Sequence, residues 1–356
     1  MLYGALLMLA VDALVFHTGI YHRYLNPIST GGQVNMMTWA LHSKDADNAI
    51  AVFGDSRVAE GFSAKLANES GGKGSTRFIN AAIPGTTPRV WYYLLRELDP
   101  HANRFAAVAI MLPNYNECGE DDLNERVLDF NYLAPILRYS DVFSFPGTFI
   151  KPETKTHVAI SLILRGLAFK MDVLEFLKNP DKRIKTAAIF RKHWRDSNYN
   201  YAGHTDALDG LAVDPEAPGG LRFPPDATPE TKRLLQAYMA QMKISQPMDS
   251  LAHYHKVWLD KIAARYRNSR TKVVIFEVPR GPLHYLKPQG PPSATLAELQ
   301  KKDGFTLLPP ETFGGMEHPE YFCDYLHMSG VGRRRFTAEF APMLRQIAGT
   351  PSPATR

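Results

Sequence analysis

Three side chains whose types suit nucleophilic catalysis stand near opposite ends of this 356-residue chain. Ser56 follows an apolar run, 50–53, and a Gly-Asp pair, which predicts a serine hydroxyl at the carboxyl end of a buried strand and at the start of a helix. Asp324 and His327 lie three residues apart. In a turn, this spacing lets the carboxylate reach the ring Nδ1 while Nε2 faces a nucleophile. Together the three groups predict a Ser-His-Asp acyl-transfer site. Singly, Ser56 could be a simple helix N-cap and the Asp-x-x-His segment an exposed polar loop.

Two further residues have hydrogen-bond donors suited to a developing oxyanion. Gly85 follows the predicted strand 77–80, and its N–H could face a substrate oxygen. Asn114 follows the predicted strand 105–112, and its side-chain amide could donate to the same oxygen, with Asn116 as the alternative. Each could also be an ordinary turn residue. Because all these segments end strands or begin helices, we expect them to gather at one edge of a sheet.

Strand and helix patterns alternate along the chain and predict the framework that positions these residues. Further apolar runs at 272–278 and 305–308 complete five predicted strands, and a closing helix is predicted over 332–347. The alternation predicts a parallel sheet in a three-layer α/β/α fold with an inserted helical subdomain. In chain order, we expect a membrane anchor or apolar helix over 1–25, a polar irregular connector over 26–48, the α/β/α domain over 49–116 and 250–349, a helical insertion or lid over 117–249, and a disordered tail over 350–356.

These segments resemble the blocks of the SGNH, or GDSL-type, hydrolases, whose fold is flavodoxin-like. Gly54-Asp55-Ser56 with Gly61 is similar to the first block, Asn80 to Gly85 to the second, Asn114 to the third, and Asp324-x-x-His327 to the fifth. The resemblance implies that Ser56 is the nucleophile, His327 the base and Asp324 its orienting partner. It also implies an oxyanion hole made by the N–H groups of Ser56 and Gly85 and the Asn114 side chain.

The chain departs from the family pattern at three places. Ala82 stands where a glycine is frequent, Arg57 replaces an apolar residue, and the third block has the form Leu112-Pro113-Asn114-Tyr115. The third departure keeps Asn116 open as the alternative to Asn114. The region 117–250 carries no motif of the family.

The function that the resemblance implies is a serine esterase acting on carboxyl esters, in particular O-acetyl groups of envelope glycans. The alternatives are an O-acyltransferase that moves acyl groups onto a cell-surface polysaccharide, and a non-catalytic envelope scaffold. We expect no cofactor and no metal. The net charge of +5 comes without a long basic run, so nucleic acid is not an expected partner. Oligomeric state has no signature in the sequence.

The N-terminal residues 4–20 are mostly apolar and approach the length of a membrane span, although Asp12 and His17 interrupt the run. We expect an uncleaved membrane anchor that holds the catalytic domain on the extracytoplasmic, periplasmic side. The alternative is an apolar helix lying on the domain or on a membrane surface.

The two cysteines, Cys118 and Cys323, flank two of the predicted site segments. If both loops line one site, these thiols could approach within bonding range and form a disulfide. Two separate buried thiols are the alternative.

Overall fold

The computed structural model describes residues 2–72, 74–112, 121–197, 208–244, 253–286 and 290–349. The strands are β1 (Ile50–Phe53), β2 (Phe78–Asn80), β3 (Ala107–Leu112), β4 (Ala212–Val213), β5 (Leu221–Arg222), β6 (Lys272–Glu277) and β7 (Phe305–Leu307). The α-helices are α1 (Leu2–Asp12), α2 (Thr30–Leu41), α3 (Ser56–Gly61), α4 (Ala64–Glu69), α5 (Pro88–Leu98), α6 (Val127–Leu133), α7 (Pro152–Ile163), α8 (Lys170–Lys178), α9 (Pro180–Ser197), α10 (Pro229–Ile244), α11 (His253–Tyr266), α12 (Ala294–Gln300) and α13 (Gly330–Ile347).

A five-stranded parallel sheet in the order β2-β1-β3-β6-β7 forms the centre of the fold. The register pairs Phe53 of β1 with Ile110 of β3, and Leu112 of β3 with Glu277 of β6, so neighbouring strands end at one edge. All residues of β1 and β3 are buried, as the continuous apolar runs predict for parallel strands covered on both faces. The five predicted strands are confirmed. A separate antiparallel pair, β4 and β5, lies within the segment 117–249 that was predicted to be a helical insertion.

Helices cover this sheet to give the predicted three-layer α/β/α fold. α3 and α4 both pack against α13, α13 also contacts β3, α11 contacts β6, and α12 contacts β7. An aromatic cluster fills the space beneath α13, where the ring centroids of Phe276 and Phe340 lie 4.4 Å apart and Phe313 and Phe336 join them. Such rings bury much apolar surface and fix the helix that follows the Asp324–His327 segment.

The chain divides into two compact units. The first consists of Met1–Asp45, Thr86–Pro100 and Glu120–Ser197 and is helical in its described part. The second consists of Ala46–Gly85, His101–Gly119 and Asn198–Arg356 and contains the parallel sheet. Residues 86–100 therefore belong to the helical unit, although the predicted α/β/α domain of 49–116 includes them. Residues 198–249, predicted as part of the insertion, belong to the sheet unit, and the predicted tail 350–356 lies outside the described residues.

The predicted membrane anchor at the N-terminus is wrong, and the membrane-anchored extracytoplasmic placement that rested on it is withdrawn with it. No helix in the described part of the chain combines the length and apolar character needed to span a bilayer. α1 ends at Asp12, which is 8% exposed and accepts hydrogen bonds from the backbone N–H groups of Arg165 and Gly166 at 2.9 and 2.8 Å. The carboxylate that interrupts the apolar run thus satisfies backbone donors within the helical unit.

Two local predictions also differ from the structure. The connector 26–48 contains helix α2, because Gly31 and Gly32 permit close packing rather than a break: a Cβ on Gly32 would lie 1.7 Å from the carbonyl oxygen of Asn26. The helix predicted to begin at Ser56 ends after six residues, because the chain leaves α3 at Phe62. A second helix, α4, then begins where Ser63 caps it by accepting a hydrogen bond from the Leu66 N–H.

Candidate active site

Ser56 stands at the turn that joins β1 to α3. Asp55 caps α3, and its carboxylate accepts a hydrogen bond from the Arg57 N–H at 2.9 Å, so Ser56 is the first residue of the helix. The turn is tight, because a Cβ placed on Gly54 would lie 2.5 Å from the side chain of Val58. Gly54 therefore lets the chain turn sharply from the buried strand into the helix and leaves Ser56 half-buried.

Asn80 holds α3 against the end of β2. This side chain is fully buried, and its amide donates to the carbonyl oxygens of Val58 at 3.2 Å and Phe62 at 2.9 Å, near the carboxyl end of α3. Its Oδ1 accepts a hydrogen bond from the Ala82 N–H at 3.1 Å. Buried amides are almost always hydrogen-bonded, and the bonds of Asn80 join β2 to the carboxyl end of α3. Asn80, the first residue of the second block, therefore fixes the helix that carries Ser56.

Asp324 and His327 lie in a short closed loop. The loop is closed by the bridge between Phe322 and Met328 and by a hydrogen bond of 2.9 Å from the Cys323 N–H to the His327 carbonyl oxygen. Inside it, Asp324 Oδ1 accepts the N–H groups of Leu326 at 2.7 Å and His327 at 2.6 Å. An Asx-type turn of this kind sets the direction of the carboxylate and of the imidazole together.

The structure brings Ser56, His327 and Asp324 into one hydrogen-bonded chain. Asp324 Oδ2 lies 2.8 Å from His327 Nδ1, and His327 Nε2 lies 2.8 Å from Ser56 Oγ. Ser56 and His327 are 271 residues apart in sequence. These distances let the imidazole accept the serine proton while the carboxylate holds the opposite ring nitrogen, which is the geometry of an activated serine nucleophile.

The charges around His327 favour its protonated form. Burial works to lower the pKa of His327, but the hydrogen bond and charge of Asp324, together with the charges of Glu60 and Asp55, outweigh it and raise that pKa. Burial works to raise the pKa of Asp324, but the hydrogen bonds from the His327 ring and from the backbone N–H groups of the loop outweigh it and lower that pKa. Asp324 is therefore ionised across the neutral range and stabilises an imidazolium.

We expect the ascending limb of kcat/KM against pH to report the raised pKa of His327. Protonated His327 cannot accept the Ser56 proton, so activity is lost as pH falls through this pKa and is full above it. The apparent pKa should therefore lie above the ordinary value of 6.5. Rates of hydrolysis of vinyl acetate measured across the pH range check this, and an ascending limb centred below 6.5 would contradict it.

The predicted oxyanion donors are described only in part. The N–H of Ser56 lies in the first turn of α3, where N–H groups have no acceptor within the helix. The segment that follows β2 is hydrogen-bonded to the Ser56 turn, because the Ile83 N–H donates to the Gly54 carbonyl oxygen at 3.1 Å. Gly85, two residues later, is exposed and has a φ of +71°. Asn114, Asn116 and Cys118 lie outside the described residues, so the amide donor and the disulfide to Cys323 stay predictions.

No known family model matches this chain, and no curated protein matches its sequence.

Asp55 and Arg57, on either side of Ser56, form an ion pair that the sequence analysis did not predict. The Arg57 guanidinium forms an ion pair with the Asp55 carboxylate: Nε lies 3.2 Å from both carboxylate oxygens, and Nη2 lies 2.6 Å from Oδ2. Arg57 therefore makes a charged contact where the family pattern has an apolar residue. His255 of α11 is 8% exposed, and burial, with the positive charge of Arg57, lowers its pKa to about 4. The opposite charges of Asp55 and Arg57, two residues apart, were the available signal for the pair, whereas the burial of His255 depends on tertiary packing.

Proposed function

We propose that this protein is a serine esterase of the SGNH type that hydrolyses carboxyl esters through an acyl-enzyme on Ser56. The observation that carries the proposal is the continuous hydrogen-bonded chain from Asp324 through His327 to Ser56 Oγ. Ser-His-Asp chemistry is recognised by geometry and roles rather than by the position of residues in the sequence.

The reaction proceeds in two halves. In the first, Ser56 Oγ bonds to the acyl carbon while His327 Nε2 takes the serine proton, and the oxyanion is stabilised by backbone N–H groups. The bond from the acyl carbon to the alcohol oxygen then breaks, and His327 gives its proton to the leaving alcohol. In the second half, water attacks the acyl carbon and transfers a proton to His327. The bond from the acyl carbon to Oγ then breaks, His327 returns the proton to Oγ, and the carboxylic acid leaves with the Ser56 hydroxyl restored. Asp324 stays ionised throughout and stabilises the imidazolium.

The substrates we propose are short O-acyl esters, with O-acetyl groups of glycans as the class that the family resemblance favours. The order of the blocks along the chain, Gly-Asp-Ser first and Asp-x-x-His last, supports the resemblance. This proposal does not depend on a membrane.

Labelling with a fluorophosphonate tests the proposal and separates it from a non-catalytic scaffold. An activated serine attacks the phosphorus, whereas an ordinary serine hydroxyl does not, so we expect one adduct per chain, located on Ser56 by peptide mass. The Ser56→Ala protein should not be labelled. Ser70→Ala, which removes an exposed serine at the end of α4, should be labelled like the unaltered protein. Absence of an adduct on correctly folded protein would favour the scaffold.

A further inference from the structure

A cavity in the sheet-containing unit lies beside the catalytic loop and is not explained by the Ser-His-Asp site. It measures about 720 Å³, within the range of about 300–1,000 Å³ typical of small-molecule sites. It lies between the segment that follows β6 and the 3₁₀ turn Pro310–Met316. Its lining includes Arg280, His284, Tyr285, Glu311, Gly314 and Glu317.

Contacts between the loops connect this cavity to the catalytic loop. Gly281 directly follows Arg280, and a Cβ placed on it would lie 2.8 Å from the carbonyl oxygen of Tyr325. The ring of Tyr238 lies against that of Tyr325, with centroids 5.9 Å apart, and its hydroxyl is hydrogen-bonded to His284. Tyr325 stands between Asp324 and His327. The loop that carries the base is therefore contacted by Gly281 and Tyr238, which adjoin the cavity-lining residues Arg280 and His284.

A buried ion pair fixes the inner wall. Arg280 and Glu317, whose side chains are 8% and 3% exposed, are joined by Nε to Oε1 at 2.7 Å and Nη2 to Oε2 at 2.6 Å. The Arg280 N–H also donates to Glu317 Oε1, at 3.1 Å. Desolvating two charges is costly, so the pair keeps its geometry only because these hydrogen bonds are made, and the inner wall of the cavity is held in one arrangement.

The chemistry of the walls selects a ligand that brings hydrogen-bond donors. Pro291, Pro292 and Pro310 have no N–H, so their backbone contributes only carbonyl acceptors, and Glu311 adds a carboxylate. Tyr285, stacked on His318 with centroids 4.6 Å apart, offers a flat aromatic face. Hydroxyl groups on an apolar frame match such walls, whereas a carboxylate or phosphate on the ligand would meet the charge of Glu311.

We propose that this cavity binds the alcohol portion of the ester, and that it takes an uncharged, hydroxyl-rich alcohol. The inference rests on the proposed esterase function, because His327 must protonate the leaving alcohol and that alcohol therefore departs beside the His327 loop. The cavity is then a specificity site, and Tyr285 and Glu311 are specificity-determining residues.

Two neighbouring glycines supply a matched test. Gly314 lines the cavity and Gly315 does not, both lie in the same 3₁₀ turn, and a Cβ on either would meet nothing within 4 Å. Gly314→Leu should fill the cavity and lower kcat/KM for methyl 3-O-acetylglucoside by about tenfold or more, the loss of about 1.4 kcal/mol of binding. Gly315→Leu should leave it unchanged. Hydrolysis of vinyl acetate, whose alcohol portion is too small to reach the cavity, should be unaffected by either change.

The charge of Glu311 gives a second, independent measurement. Methyl 3-O-acetylglucuronide differs from the glucoside only by a carboxylate at C6 and should be the poorer substrate. Relative to its effect on the glucoside, Glu311→Gln should raise kcat/KM for the glucuronide about twofold to fivefold, as expected for an exposed charge pair. Equal effects on both esters would argue against recognition by this wall.

Failure of the site and failure of the enzyme function can be told apart. If vinyl acetate is hydrolysed but Gly314→Leu and Gly315→Leu have the same kcat/KM for methyl 3-O-acetylglucoside, the proposed alcohol site is wrong and the proposed esterase function is retained. Calorimetric binding of methyl 3-O-acetylglucoside to the Ser56→Ala protein, with and without Gly314→Leu, needs no turnover. Binding that Gly314→Leu abolishes would support the site even if the proposed hydrolysis failed, and binding that it leaves intact would overturn the site.

Discussion

Replacing Ser56 with alanine is expected to abolish hydrolysis of a short-chain aryl ester, and replacing His327 with alanine is expected to do the same. Each change should lower kcat by about 10⁵-fold or more, because the first removes the atom that bonds to the acyl carbon and the second removes the base 2.8 Å from it. Initial rates on an aryl acetate, measured for each variant with purified protein, check this result.

The double variant gives the sharper measurement. Because Ser56 and His327 act as a unit, the double change should cost no more than the larger single change. Losses that multiply would show that the two residues contribute to catalysis independently, against the proposed mechanism. Ser70→Ala and His101→Ala replace exposed residues of the same types and should keep full activity.

Replacing Asp324 with asparagine is expected to lower kcat by about 10³- to 10⁴-fold while the loop keeps its conformation. Asparagine retains an Oδ1 that can accept the N–H groups of Leu326 and His327, but its amide cannot stabilise an imidazolium or hold Nδ1 protonated. The substitution removes the Asp324 carboxylate, which raises the pKa of His327 most, but leaves the burial that lowers that pKa. The residual activity should therefore show its ascending limb at a lower pH than in the unaltered protein.

The matched control is Asp303→Asn, which neutralises an exposed aspartate in the sheet-containing unit. It should change neither kcat nor the pH profile. An Asp324→Asn protein with near-normal kcat would mean that His327 is oriented by the loop alone, and the role proposed for the carboxylate would then be withdrawn.

The parts of the fold that were predictable are those whose signal is local. The apolar runs at 50–53, 105–112 and 272–278 predict buried strands because a parallel strand covered on both faces is apolar throughout, and β1, β3 and β6 confirm them. The meeting of Ser56 with His327 follows from the rule that polar residues after parallel strands collect at one sheet edge.

The features that were missed depend on partners distant in the chain. The segment 26–48, which contains Gly31 and Gly32, was predicted to be irregular. In the structure these glycines lie in a helix, and their lack of a side chain permits close packing, for example of Gly32 against the Asn26 carbonyl oxygen. No local sequence pattern reveals this packing. The apolar segment 4–20 predicted a bilayer span, and in the sequence Asp12 was only an unfavourable charge within that span. In the structure the Asp12 carboxylate accepts hydrogen bonds from backbone N–H groups more than 150 residues away in the sequence. Likewise, the partner of Arg280 is Glu317, 37 residues along the chain.

The division of the chain into units has a consequence for how this protein can be handled and how it reaches its native state. Unit boundaries fall after residues 45, 85, 100, 119 and 197, so the polypeptide passes from one unit to the other five times. Neither unit is therefore a continuous stretch of sequence that could be expressed by truncation. β1 must pair with β3, the central strand of the sheet, across the intervening segment 86–100, which belongs to the other unit, and β3 must pair with β6 some 160 residues later. Pairings of such long sequence separation slow folding, so the Ser-His-Asp geometry is expected to form late, after distant strands have met.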